Sequence, residues 1–114
     1  MISLLESYSE IIASYEVRRY RQYGGAYVFV AIIQFTDRSE LHVRDYLFLN
    51  VERKYSFHWQ DAQEQLISRW DNAEHHKHIE TFPFHLHIPK GLKESRPMTL
   101  DKVLEHIKNQ ITEV

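Results

Sequence analysis

The sequence predicts an α+β domain: a curved antiparallel five-stranded meander packed on a C-terminal helix, with a short N-terminal helix. Three observations carry this. From Ile11 to Asn72, β-branched and aromatic residues come in short runs separated by turn residues. From Thr99 the apolar spacing changes from two to that of a helix. The length of 114 residues, 43% of them hydrophobic and 26% charged, supports one core but not two, so residues 1–114 form a single domain.

The elements follow in chain order. Residues 2–8 form one or two helical turns, too short to stand without tertiary support. Strand one, Ile11–Tyr23, ends at Gly24-Gly25, a pair suited to the positive φ of a hairpin turn. Strand two, Tyr27–Phe35, is apolar on both faces and is expected to be central and at least partly covered on each. After a turn at Asp37-Arg38, strand three (Glu40–Leu49) alternates. Leu41, Val43, Leu47 and Leu49 share one face, and Glu40, His42, Arg44, Tyr46 and Phe48 the other.

A turn at Asn50–Glu52 leads to strand four, Arg53–Gln60. It sets Tyr55, Phe57 and Trp59 opposite Lys54, Ser56, His58 and Gln60. Asp61–Glu64 turns into a short fifth strand, Gln65–Trp70. Short turns between consecutive strands favour a meander. In the last element Leu100, Val103, Leu104, Ile107 and Ile111 form one helical stripe, with Thr99 as N-cap and Asp101 in the first turn. One helix cannot cover five strands on both sides. The other face is therefore expected to be a binding surface or a homodimer interface.

Composition removes several classes of function. Without cysteine there is no disulfide scaffold, thiolate metal site or thiol nucleophile. No apolar run reaches the roughly 18–20 residues of a membrane span. No secretory signal is visible at the N-terminus, so a cytoplasmic location is expected. The formal charge of −2 argues against broad nucleic-acid affinity, although Arg18, Arg19, Arg21, Arg38, Arg44, Arg53 and Lys54 leave room for a local basic patch. Disorder is expected only at the ends and near Lys90–Pro97.

Histidine is the chemical signal. Five of the eight fall between His75 and His87, as His75-His76-Lys77-His78 and His85-Leu86-His87, in a stretch with no clear period. His75, His78, His85 and His87 are candidate ligands for a divalent metal such as zinc or manganese, although no His-Glu-x-x-His motif is present. A second group lies on the polar sheet face: Glu40, His42 and Arg44 on strand three, Ser56, His58 and Gln60 on strand four. If the register joins them, base, acid and cation would stand together, which is what metal-independent RNA cleavage needs. The candidate catalytic residues are His42, His58, Glu40, Arg44 and His76, with His75, His85, His87 and Arg69 as phosphate contacts. Asp71 either ends the fifth strand and orders the next turn or orients a nearby histidine.

Long stretches of the chain resemble the TumE family. They are Phe35-Thr36-Asp37-Arg38-Ser39-Glu40-Leu41-His42-Val43-Arg44, Tyr55-Ser56-Phe57-His58-Trp59-Gln60-Asp61, Arg69-Trp70-Asp71-Asn72-Ala73-Glu74-His75-His76, Thr81-Phe82-Pro83 and His85-x-His87. Phe84 stands where the family often has the first histidine of Thr-x-Pro-His-His-x-His. The resemblance implies the toxin half of a prokaryotic toxin–antitoxin pair, with a cognate antitoxin as partner. Three functions stay open: a ribonuclease-like toxin acting on RNA, a non-enzymatic module that binds protein through the open sheet face, or a His-ligated metal-dependent hydrolase. The histidine-rich segment is expected to be a loop that folds back towards His42 and His58, making one site.

Overall fold

The computed structural model describes residues 1–74 and 80–112. The order of elements is α1 (Ile2–Ser7), β1 (Ile12–Tyr23), β2 (Ala26–Phe35), β3 (Glu40–Leu47), β4 (Arg53–Gln60), β5 (Leu66–Asp71), β6 (His85–Ile88), β7 (Gly91–Glu94) and α2 (Leu100–Thr112). Each strand pairs antiparallel with the next, so the sheet runs β1 to β7 in sequence order.

The α+β class and both helices match the expectation, but the sheet has seven strands rather than five. The two additional strands lie in stretches expected to be a loop and a disordered connection. Each is only four residues long, too short for a clear period. Pro89-Lys90 closes their hairpin, and Gly91 takes φ 139°, a backbone region that favours glycine. That turn was the available signal.

Local side chains fix the other turns. Asp37 Oδ1 accepts the Ser39 N–H at 2.9 Å, and Ser39 Oγ in turn accepts the Trp59 indole N–H at 3.0 Å. Asp61 Oδ1 accepts the N–H groups of Gln63 and Gln65, both at 2.9 Å. Such Asx turns let a carboxylate replace a missing backbone partner. With short turns set this way, consecutive strands can only lie side by side, and their register follows.

Both helices pack on one face of the sheet. Phe29, Ile33, Phe35, Leu41, Val43, Tyr55, Phe57, Trp59 and Trp70 are buried there against Leu5 of α1 and Leu100, Val103, Leu104 and Ile107 of α2. Burying each large apolar side chain contributes about 1.5–3 kcal/mol. Tyr8, after α1, donates its hydroxyl to Asp101 Oδ1 at 2.7 Å, which ties the two helices together.

One buried position on the core side carries a carboxylate. Asp45 on β3, 2% exposed, receives both the Nε (2.9 Å) and Nη2 (3.0 Å) of Arg53. The guanidinium lies over the Tyr55 ring, 4.4 Å from its centre.

On the opposite face no helix or strand of the described residues covers the sheet. Val30 and Ile32 of β2 are only half-buried there, so the strand expected to be covered on both faces has a full cover on one. The molecule is accordingly a slab, 38 × 37 × 20 Å.

Candidate active site on the open face of the sheet

Alternation along the strands and register across them build this site. His42 of β3 pairs with His58 of β4, His58 with Arg69 of β5, and Arg69 with His87 of β6. The next row, two residues along, is Arg44, Ser56, Asp71 and His85. All eight point away from the helices because their strand neighbours Val43, Phe57, Trp70 and Leu86 occupy the core side. The two histidine groups expected to form one site therefore do so in part. They meet through strand pairing, with β6 as the next strand of the sheet, and not through a loop folding over it.

The His42 and His58 rings stand edge to face with centres 6.3 Å apart. His42 Nε2 is shielded from solvent and lies 3.3 Å from Glu40 Oε1, at an angle outside hydrogen bonding. His58 Nδ1 lies 3.4 Å from Arg69 Nη1. A guanidinium only donates, so Nδ1 is the lone-pair nitrogen of this ring. Burial lowers the His58 pKa below its ordinary 6.5, the positive charge of Arg69 and the nearby His42 lower it further, and a hydrogen bond with Gln60 opposes them. At neutral pH His58 is consequently an uncharged imidazole that can accept a proton.

Asp71 is the hub of the second group. It is 5% exposed, and its Oδ1 lies 2.5 Å from His85 Nε2 while its Oδ2 lies 3.2 Å from Arg69 Nε and 3.4 Å from His87 Nε2. His85, also buried, gives its other nitrogen to the Pro83 carbonyl oxygen at 2.9 Å. That bond turns Nε2 towards the Asp71 carboxylate. Asp71 Oδ1 also accepts the Ala73 N–H at 3.1 Å. Both roles weighed for this residue, turn and histidine partner, are therefore present, and Asp71 lies within β5 rather than beyond its end.

Two of the four expected metal ligands, His85 and His87, join Asp71 in a set whose ligand atoms all lie within 4.8 Å of one another. An aspartate and two imidazoles suit a divalent ion of the zinc or manganese type. The other two candidates, His75 and His78, and the candidate catalytic His76 lie outside the described residues.

A cavity of about 270 Å³ lies over His42, Arg44, Ser56, His58 and Arg69. It shares Arg44, Ser56 and Arg69 with a larger one, of about 510 Å³, that reaches Asp71, His85, His87, Tyr46 and Lys54. The two make one trough along β3 and β4. Every described residue of the candidate site except Glu40 lines it, and Glu40 borders it through His42. Tyr46 and Lys54 are absent from the sequence-based candidate sets, and Asp71 appears there only as a turn residue or the partner of a histidine. Lys54 and Tyr46 could have been added, because each shares a strand face with a chosen histidine.

The motif Trp70-Asp71-Asn72 now has a physical account. Trp70 is buried in the core, and Asp71 holds the histidines of β6. Asn72 bonds to β4 with both ends of its amide, accepting the Tyr55 N–H at 2.9 Å and donating to the Arg53 carbonyl oxygen at 2.7 Å.

The family model for toxin TumE matches residues 1–114, the whole chain. The chain belongs to the toxin TumE family. It is accordingly the toxin component of a toxin–antitoxin system, with an antitoxin as its partner. No curated protein and no solved structure matches it. No helix among the described residues of this TumE-family chain is long and apolar enough to cross a membrane.

Proposed function

We propose that this toxin cleaves RNA on the open sheet face by acid–base chemistry that needs no metal. The observation that carries it is the cross-strand row His42–His58–Arg69, two imidazoles and a guanidinium over one cavity. As the Arg69 guanidinium turns from His58 Nδ1 to the scissile phosphate, that nitrogen takes the proton of a ribose 2′-hydroxyl, and the 2′-oxygen attacks the adjacent phosphorus. The phosphorus–5′-oxygen bond breaks, and the leaving oxygen takes a proton from His42, which the Glu40 carboxylate accompanies. Arg69 and Arg44 stand where the extra negative charge of the pentacovalent state develops. The products are a 2′,3′-cyclic phosphate and a 5′-hydroxyl.

A second proposal rests on Asp71, His85 and His87, which could instead hold a divalent ion that activates water for phosphodiester hydrolysis. The ends of the RNA products separate the two. Purified toxin incubated with RNA and excess chelator is expected to give cyclic phosphate ends. Cleavage that stops with chelator and resumes with zinc or manganese, leaving linear phosphates, would instead establish the metal route. No cleavage in either condition, with tight antitoxin binding, would make the face a protein-binding surface.

A further inference from the structure

The trough does not stop at the histidines, and its far end carries no group that the cleavage chemistry uses. Tyr46 lies two residues beyond Arg44 on the same face of β3, and Phe48 two residues beyond Tyr46. Their rings are near parallel, 16° apart, with centres at 6.4 Å. Phe48 is 47% exposed, and Tyr46 lines the larger cavity. A third cavity, of about 380 Å³, continues past Phe48 and shares Lys54 and Ala73 with the larger one. From His42 to Phe48 the strand path is roughly 20 Å at about 3.3 Å per residue. The middle of that path is basic: Arg44, Lys54 and Arg69 face a single carboxylate, Asp71, in the larger cavity.

We infer that Tyr46 and Phe48 form a nucleobase-stacking subsite that selects single-stranded RNA and holds it along the trough. This rests on the proposed RNA chemistry at His42 and His58. Cations spaced along a groove with flat apolar rings beside them form the surface that tracks an unpaired strand, because phosphates meet the cations and every base has a face to stack. Duplex RNA offers phosphates but no free base face. Its bases are stacked on one another, and its deep, narrow major groove excludes side chains. The rings and the cations also alternate within reach of one backbone: Arg44 and Tyr46 are neighbours on β3, and Lys54 is paired with Tyr46 across the β3–β4 ladder. A strand whose phosphates rest on Arg44 and Lys54 can therefore place a base on Tyr46 and the next on Phe48, with the neighbouring phosphate between His42 and His58.

The test separates binding from cleavage by using a 2′-O-methyl oligonucleotide, which has no 2′-hydroxyl to attack phosphorus. Fluorescence anisotropy is expected to show the labelled single strand bound at least tenfold more tightly than a blunt duplex of the same sequence. Tyr46→Ala should weaken single-strand binding by about tenfold, the loss of one stacked base, and Phe48→Ala by less. Tyr46→Trp should restore it, whereas Tyr46→Leu, which keeps apolar bulk without a π-face, should not. Equal binding of duplex and single strand would overturn the subsite, as would wild-type binding by Tyr46→Ala with an unchanged melting temperature. So would a Tyr46→Ala defect confined to antitoxin binding. The two proposals fail separately: Tyr46-dependent binding with no cleavage of unmodified RNA rejects only the chemistry. Cleavage of single strand and duplex alike, indifferent to Tyr46, rejects only the subsite.

Discussion

The two faces of this sheet are made by the same strands and do opposite work. On one, Val43, Phe57 and Trp70 are sealed under α2. On the other, one residue along each strand, His42, His58 and Arg69 face the trough. Because side chains alternate strictly along an extended chain, core and site can share a strand without sharing a surface. Each face also has one buried carboxylate, and the two mirror each other. Asp45, held by Arg53, is a charge on the core side, and Asp71, held by His85, His87 and Arg69, is a buried carboxylate on the site side. Stability and activity should therefore separate by face, except at these two aspartates.

The largest effect is expected from the core side. Phe57→Ala removes a fully buried ring and should cost about 3–5 kcal/mol, enough to unfold a domain of this size in mild denaturant. Urea titration followed by circular dichroism measures it; a midpoint within error of wild type would contradict the assignment of that face to the core. Asp45→Ala comes next. It strands a half-buried guanidinium and should destabilise by about 3 kcal/mol, while leaving the trough residues in place. At the site-side exception, Asp71→Asn should lower both stability and activity, because it removes the charge that holds His85, His87 and Arg69 together. A loss of only one of the two would show that Asp71 belongs to one face alone.

The smallest effect is electrostatic. The His58 pKa is lowered by burial, then by Arg69 and His42, and that of His106 on α2 is lowered by burial. Below pH 6.5 the unfolded chain binds protons that the folded chain refuses, so stability should fall as pH drops from 6.5 towards the folded-state values. His58→Gln should flatten that slope. An unchanged melting temperature across this window, in wild type and variant alike, would contradict the lowered pKa. The acid limb of RNA cleavage should also lie below pH 6.5, since His58 must be uncharged to accept a proton.

How much of this was legible in the sequence depends on the range of the signal. The helical stripe of α2 and the alternation in β3 and β4 are local patterns, and the structure repeats them. Leu47 and Leu49 mark where the pattern stopped holding, for β3 ends at Leu47 and Leu49 is 69% exposed at the turn. Asp45 lay at a core position in the alternation, yet nothing local marks it as buried, because its partner Arg53 is eight residues on, across the next turn. The site was legible residue by residue but not as a unit. His42 and His58 share a row only because the turn between them has a certain length, and one residue more would have turned every side chain of β4 over. His85 and His87 were visible as a pair on an extended chain. That each extends one of the two rows of the site depends on β6 pairing with β5, which four residues cannot announce.

The central claim is that the open face, through His42 and His58, is where RNA is cut. It is tested most directly by the rate at which wild-type toxin and His58→Ala cleave a single-stranded RNA in excess chelator, with melting temperatures measured on the same samples. Expected are cyclic phosphate product from wild type, a rate lower by about 100-fold or more in the variant, and melting temperatures that agree closely. Equal rates for the two proteins, or no cleavage by wild type while chelator is present, would contradict it.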